Sequence, residues 1–281
     1  VGNFVLLSET KKELRRLDTR AKKGLGQNFL VDKHVLSRIV AAAKLTCDDC
    51  VVEVGPGLGV LTQELAKEAG HVVAVELDST MAAALREKFA DSSNVEIVEA
   101  DILECAPESL VSKKRNYKVV GALPYNIASA VLRRFLEAGH KPAMIVAVVQ
   151  KEVAQSIVAK PGDMSLLSVG IQLYGRPSIV KYIGPRSFYP QPKVDSAIVR
   201  IDVYTEPPIE VEEEADFFSV VRGGFSTPRK QLRNSLSYGL NITSQEAGAL
   251  LDGAGIDPRR RAETLSIGEW AALYRAFSGR Q

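Results

Sequence analysis

Between positions 51 and about 204, short apolar runs alternate with longer amphipathic ones. The runs VVEVG (51–55), VVAVEL (72–77), VEIVEA (95–100), YKVVGA (117–122) and MIVAVV (144–149) have the β-branched, nearly continuous hydrophobicity of parallel strands covered on both faces. Residues 61–69, 81–89 and 128–138 space their apolar side chains at helical intervals instead. Strands alternating with helices predict an open, doubly wound α/β sheet. Three later runs, VGIQLYG (169–175), SIVKYIG (178–184) and SAIVRIDV (196–203), read as strands with short links, an antiparallel addition to the sheet's edge. Past an acidic, proline-containing stretch (206–216), the pattern turns helical at 217–223, 230–237, 244–254 and 267–277. This divides the chain into an α/β domain over 1–205 and a smaller all-helical domain over 206–281.

Composition narrows the class. The chain has 281 residues, 46% hydrophobic and 25% charged, which is globular composition and argues against a disordered chain or a disulfide scaffold. No apolar run approaches the roughly 20 residues that span a bilayer, and the N-terminus has no signal-peptide pattern. Three cysteines form no framework, so a cytoplasmic setting is expected. Cys47 and Cys50 have zinc-like spacing, but Cys105 is remote and His34, His71 and His140 form no ligand pair. A structural zinc site has four ligands, so no metal is expected. The net charge is only +2, from 36 basic and 34 acidic residues, yet it is unevenly placed. Basic residues cluster in an N-terminal arm (11–23) and in two tail segments (222–233 and 259–261). Each cluster reads either as solvated surface or as a phosphate-binding patch.

The candidate chemistry lies where the strands end. Glu53-Val54-Gly55-Pro56-Gly57-Leu58-Gly59 closes one strand and opens a helix, and glycines there let the backbone turn tightly and approach a ligand. Glu76 ends the next strand, seventeen residues after Gly59, where a carboxylate can accept ribose hydroxyls. Asp101 ends the third, where a carboxylate can accept from an adenine amino group. A nicotinamide dinucleotide would call for Gly-x-Gly-x-x-Gly over its pyrophosphate. The Gly-x-Gly-x-Gly turn preceded by an acid suits S-adenosylmethionine better, because its methionine ammonium benefits from nearby negative charge. After the fourth strand, Leu123-Pro124-Tyr125-Asn126 offers a stiff loop with outward carbonyls and an aromatic face, a combination that suits a flipped nucleobase.

These residues resemble the RNA adenine N6-dimethyltransferases. The resemblance runs from about residue 20 to 277. Its markers are Gly26-Gln27-Asn28-Phe29-Leu30, the 53–59 turn, 123–127, Gln150-Lys151-Glu152-Val153, FYPQPKVDS (188–196), RKQLRNSL (229–236) and DPRRRAETLS (257–266). It implies a Rossmann-like S-adenosylmethionine-dependent methyltransferase sheet with a helical RNA-binding tail. It also implies methyl transfer to N6 of adenine in ribosomal RNA, with release of S-adenosylhomocysteine. In the bacterial housekeeping branch, which the developed tail favours, two adjacent adenines near the 3′ end of small-subunit (16S) rRNA are dimethylated in an immature 30S particle. Residue by residue, the resemblance places Asn28, Leu30, Gly55, Gly57, Glu76, Asp101 and Ala122 about the cofactor. It assigns Leu123, Pro124 and Tyr125 to the base-binding loop, with Phe188 on the base's other face. The loop after Phe188 reads as exposed and stiffened, so Phe188 is expected as a platform rather than as core. A monomer is expected.

One position departs from the family pattern. Asn usually precedes Leu-Pro-Tyr, and here Ala122 brings no side-chain acceptor for an N6 hydrogen. A backbone carbonyl at Leu123 or Pro124, Asn126, or a water would have to serve, or turnover would be weak. Three other functions therefore stand beside the leading one: a ribosome-assembly factor with weak methylation, a large-subunit methylase conferring macrolide resistance, and, with least support, a nicotinamide dehydrogenase.

Overall fold

The computed structural model describes residues 2–112, 116–207, 209 and 211–279; Pro208 and Glu210 of the acidic stretch lie outside the described residues. Along the chain, helix α1 (Gly2–Arg16) is followed by the short strand β1 (Phe29–Leu30) and helix α2 (Lys33–Ala43). Strands and helices then alternate: β2 (Cys50–Val54), α3 (Val60–Glu68), β3 (His71–Glu76), α4 (Ser79–Lys88), β4 (Val95–Glu99), α5 (Pro107–Leu110), β5 (Tyr117–Ala122), α6 (Ala128–Leu136), β6 (Met144–Gln150) and α7 (Lys151–Ile157). Helix α8 (Leu166–Gln172), strands β7 (Gly175–Ile183), β8 (Phe188–Tyr189) and β9 (Ser196–Val203), and helices α9 (Glu214–Phe225), α10 (Leu232–Gly239), α11 (Ser244–Gly253) and α12 (Ile267–Ser278) complete it.

Seven strands form one sheet in the order β4-β3-β2-β5-β6-β9-β7. The first five pair in parallel, and β9 runs antiparallel to β6. The order reverses at β2, so the turns after β2 and β5 open side by side at the carboxyl end of the sheet, where ligands bind in such folds. Central strands are apolar because both faces are covered: all of β2 is buried, and Val72, Val120, Val146 and Ile198 join Ile39, Ala43 and Leu65 of the flanking helices in one core. VEIVEA behaves differently. Its strand, β4, is the sheet's edge and only half-buried, so its glutamates can face water.

The chain forms two compact units: residues up to Ala154 with Pro177–Val203, and Gln155–Arg176 with Tyr204 onward. The helical unit thus takes in a segment that the sequence places in the α/β part. Within it, VGIQLYG is no strand but the end of α8. Ser165 and Ser168 cap that helix reciprocally, and the Gln172 amide donates to the Ile157 and Ala159 carbonyls at 2.9 and 2.8 Å. A short apolar run bounded by turn residues fits a buried helix as well as a strand, and the local caps decide it.

In the helical unit the packing is tight enough to require glycine. A Cβ on Gly224 would lie 2.4 Å from the Trp270 ring, and one on Gly239 would lie 2.5 Å from the Gly223 backbone, so α9 and α10 cross in direct backbone contact. The cap of α12 joins Ser266 to Glu269, and Glu269 also pairs with Arg260. Arg260 chiefly holds the Glu269 carboxyl down to about 2.

Candidate active site

The Glu53–Gly59 turn is built by backbone geometry. Gly55, Gly57 and Gly59 have φ of 69°, 56° and 72°, a region costly for residues with a Cβ. At Gly57 there is a second requirement, because a Cβ would stand 3.1 Å from the Phe29 ring. The Gly57 amide donates to Glu76 Oε2 at 2.9 Å and the Asp78 amide to Glu76 Oε1 at 2.9 Å. These bonds fix the Glu76 carboxylate at the carboxyl end of β3. Burial nevertheless raises its pKa, with those amides opposing. Lys88 of α4 reaches back to the Leu58 and Gly59 carbonyls at 3.0 and 3.3 Å, bracing the turn from outside.

Glu53 is 1% exposed, and its Oε2 has no hydrogen-bond partner among the described residues. Burial chiefly, with repulsion from Glu76 added, pushes its pKa up to about 8. A buried acid left unsatisfied at the wall of a cavity is the kind of group a cationic ligand would satisfy.

The segment before α2 closes over this turn. Its β1 pairs antiparallel with β8, Leu30 opposite Phe188 and Phe29 opposite Tyr189. Asn28 Nδ2 donates to the Gly26 carbonyl at 3.0 Å. A Cβ on Gly26 would lie 2.8 Å from Asn126 Oδ1 and 3.3 Å from Pro124, so the 24–28 loop rests directly on the 123–126 loop. Lys22 pairs with buried Asp78 at 2.8 Å, and Gln27 Nε2 donates to the same carboxylate at 3.1 Å. Burial works against the Asp78 charge, but Lys22 and Gln27 outweigh it and hold its pKa below the usual carboxylate range.

The loop after β5 is equally fixed. Ala122 pairs with Val148 of β6, the Leu123 amide donates to the Val148 carbonyl at 3.1 Å, and the Ile127 amide to the Pro124 carbonyl at 3.1 Å. Tyr125 Oη lies 2.6 Å from Ser196 Oγ. Asp101 Oδ1 accepts from the Leu103 amide at 2.8 Å.

All eleven residues named from the sequence line one cavity of about 300 Å³: Asn28, Leu30, Gly55, Gly57, Glu76, Asp101, Ala122, Leu123, Pro124, Tyr125 and Phe188. Phe188, expected as a platform, lines the cavity and is also part of the core: it is 3% exposed, because its strand pairs with β1 and its side chain joins the sheet's core cluster. Glu53 lines the same cavity, and its acid-before-glycines position was the signal for it. Nothing in the sequence pointed to Lys88, Asp78 or Ser196 as supports.

The basic clusters divide. In the arm, which is helical to Arg16, Arg16 bonds Glu13 and Glu87, and Lys11 sits 5.2 Å from the centre of the Tyr189 ring. In the tail, Arg260 is taken up by Glu269, while Arg222, Arg229, Lys230 and Arg233 are exposed. Among the described residues no helix is long and apolar enough to cross a membrane, and no three His, Cys, Asp or Glu side chains gather as a metal site requires.

Comparison with known proteins agrees with this geometry. The ribosomal RNA adenine dimethylase family model matches residues 18–278. The chain is 50% identical over 274 residues to the ribosomal RNA small subunit methyltransferase A of Dehalococcoides mccartyi, covering 98% of this chain and 94% of that one. It is 40% identical to the protein of the same name from Alkaliphilus metalliredigens, with both covered in full. Among solved structures, the 23S rRNA methyltransferase ErmE superposes with a TM-score of 0.71 and 33% identity, over 89% of this chain and all of that one. A dimethyladenosine transferase from Plasmodium falciparum superposes at 0.77 with 23% identity, over 90% and 98%, which speaks to the fold alone. The α/β unit is therefore a Rossmann-like S-adenosylmethionine-dependent methyltransferase sheet. A glycine-rich turn with an unsatisfied acid, an aromatic loop beside it and a family match over nearly the whole chain lead to one conclusion: this protein belongs to the ribosomal RNA adenine dimethylase family.

Proposed function

We propose that the protein transfers methyl groups from S-adenosylmethionine to N6 of two adjacent adenines near the 3′ end of small-subunit rRNA, acting on an immature particle. The observation that carries this reading is the convergence of the turn, both rim carboxylates and the Leu123–Tyr125 loop on one cavity. The small-subunit substrate is favoured over a large-subunit one by sequence, at 50% identity to a small-subunit methyltransferase against 33% to ErmE.

The residues present fit the cofactor. Glu53's unpartnered oxygen suits the methionine ammonium, Glu76 the ribose, Asp101 the adenine amino group, and the Gly57 backbone, kept bare by Phe29, allows close approach. Asn28 and Leu30 cover the methionine end. When bound, the cofactor supplies an electrophilic methyl on a sulfonium. The chain's own part is positioning and electrostatics. Tyr125, anchored at its hydroxyl by Ser196, presents a ring to the target adenine, with Phe188 behind the other face; stacking contributes about 1–3 kcal/mol per base. With one lone pair of the Pro124 carbonyl engaged by Ile127 N–H, we assign the Leu123 carbonyl as the first acceptor for an N6 hydrogen in place of the side chain that Ala122 lacks, the second lone pair of Pro124 remaining able to accept. The aromatic faces and this carbonyl stabilise the positive charge that appears on nitrogen. The exposed tail arginines and Lys230 would meet rRNA phosphates.

Incubation with unmethylated small subunits and methyl-labelled cofactor tests the reading: label is expected at two neighbouring adenines. Tight subunit binding without label would favour the assembly-factor alternative.

A further inference from the structure

Six large apolar side chains are exposed among the described residues, Val180, Tyr182 and Val194 among them at 41%, 49% and 40% exposure. Val180 and Tyr182 alternate on one face of β7, the outermost strand of the sheet. Lys151 links Tyr182 to Asp195, the residue after Val194: its ammonium stands 5.7 Å from the centre of the Tyr182 ring and 3.6 Å from the Asp195 carboxylate. The same lysine stands immediately after β6, and its amide donates to the Asp195 carbonyl at 3.0 Å. The next residue, Ser196, holds the Tyr125 hydroxyl. An exposed aromatic patch is thus tied, through two consecutive residues, to the loop that receives the target base.

We propose that this patch receives the nucleotide next to the methylated adenine, its base stacked on Tyr182 and its phosphate against Lys151 and Lys193. The proposal rests on the reading of the cavity as an RNA adenine site. A flipped base leaves its strand neighbours unstacked, and single-stranded RNA is held by an aromatic ring beside cations. Lys151 stands at the Tyr182 ring, paired on its other side with Asp195, and Lys193, two residues before Asp195, is exposed; these are the two cations that the proposal gives to the phosphate. Three side chains are also too small a surface for a stable protein interface, which takes about 800 Å² per partner.

The test compares the wild type with Tyr182→Ala, Tyr182→Trp and Tyr182→Leu in methyl transfer to unmethylated small subunits. Loss of one stacked base should lower kcat/KM about tenfold in the Ala variant, through KM, with kcat changed less than about twofold. Trp should retain activity, and Leu should behave as Ala. Lys151→Gln should reduce the slope of log kcat/KM against log salt by about one, whereas the Tyr182 variants leave it unchanged. Retention by Leu with loss in Ala would overturn the proposal in favour of an apolar protein contact. An unchanged kcat/KM in Tyr182→Ala would overturn it outright. Absence of transfer by the wild type would instead overturn the underlying reading, and this proposal with it.

Discussion

Tyr125 and Ser196, 71 residues apart, share a hydrogen bond of 2.6 Å between their hydroxyls. The bond joins the loop after β5 to the start of β9 and fixes the tilt of the Tyr125 ring, which we propose stacks on the target base. Ser196 is fully buried, so deleting its hydroxyl strands that of Tyr125. Ser196→Ala is expected to destabilise the fold by about 1–3 kcal/mol, lower kcat about tenfold and leave cofactor affinity within about twofold. Calorimetric titration with S-adenosylhomocysteine beside steady-state kinetics checks this split; loss of cofactor binding equal to loss of kcat would refute it.

Glu53 makes the empty protein sensitive to pH. Its carboxyl ionises at about 8 in the folded chain, raised chiefly by burial, and near 4.3 when unfolded. Between those values the native state holds the extra proton, so this group costs stability progressively as pH rises from about 4 to 8. Glu53→Gln should therefore raise Tm more at pH 8.5 than at pH 5.5 without cofactor. Because an ammonium group placed against Glu53 favours its ionised form, binding of S-adenosylhomocysteine at pH 7, through the ammonium of its amino-acid end, should release close to one proton in the wild type and none in the variant. Titrations in buffers of different ionisation enthalpy count that proton.

Gly57→Ala meets both a positive φ and the Phe29 ring at 3.1 Å. It should weaken S-adenosylhomocysteine binding at least tenfold, while a far-ultraviolet spectrum like that of the wild type shows the sheet intact.

Ala122→Asn restores a side-chain acceptor at the edge of the cavity. If alignment of N6 limits the rate, kcat should rise several-fold, a single bond of this kind contributing about 1–3 kcal/mol. An unchanged rate would mean that the backbone acceptor already suffices.

The sheet was legible because buried parallel strands need continuous apolar side chains, and the positions of Glu53, Glu76, Asp101 and Tyr125 were legible because each ends a strand at the same rim. What was not legible came from contacts distant in sequence. Pairing of Leu30 with Phe188 buries a ring whose neighbours read as an exposed loop. Serine caps turn residues 166–172 into a helix despite a strand-like run. Lys88, Asp78 and Ser196 gain their roles only from partners on other elements, at sequence distances that no local pattern encodes. Arg260 reads in the sequence only as one member of a basic cluster; its pairing with Glu269 depends on the fold of the segment between them.

The central claim is most directly tested by mapping methylated nucleosides in small and large subunits after incubation with wild-type protein and with Tyr125→Ala. The account predicts N6,N6-dimethyladenosine at two adjacent positions of small-subunit rRNA with the wild type, and a loss of at least tenfold with the variant at equal cofactor affinity. Modification confined to large-subunit rRNA, or equal modification by both proteins, would contradict it.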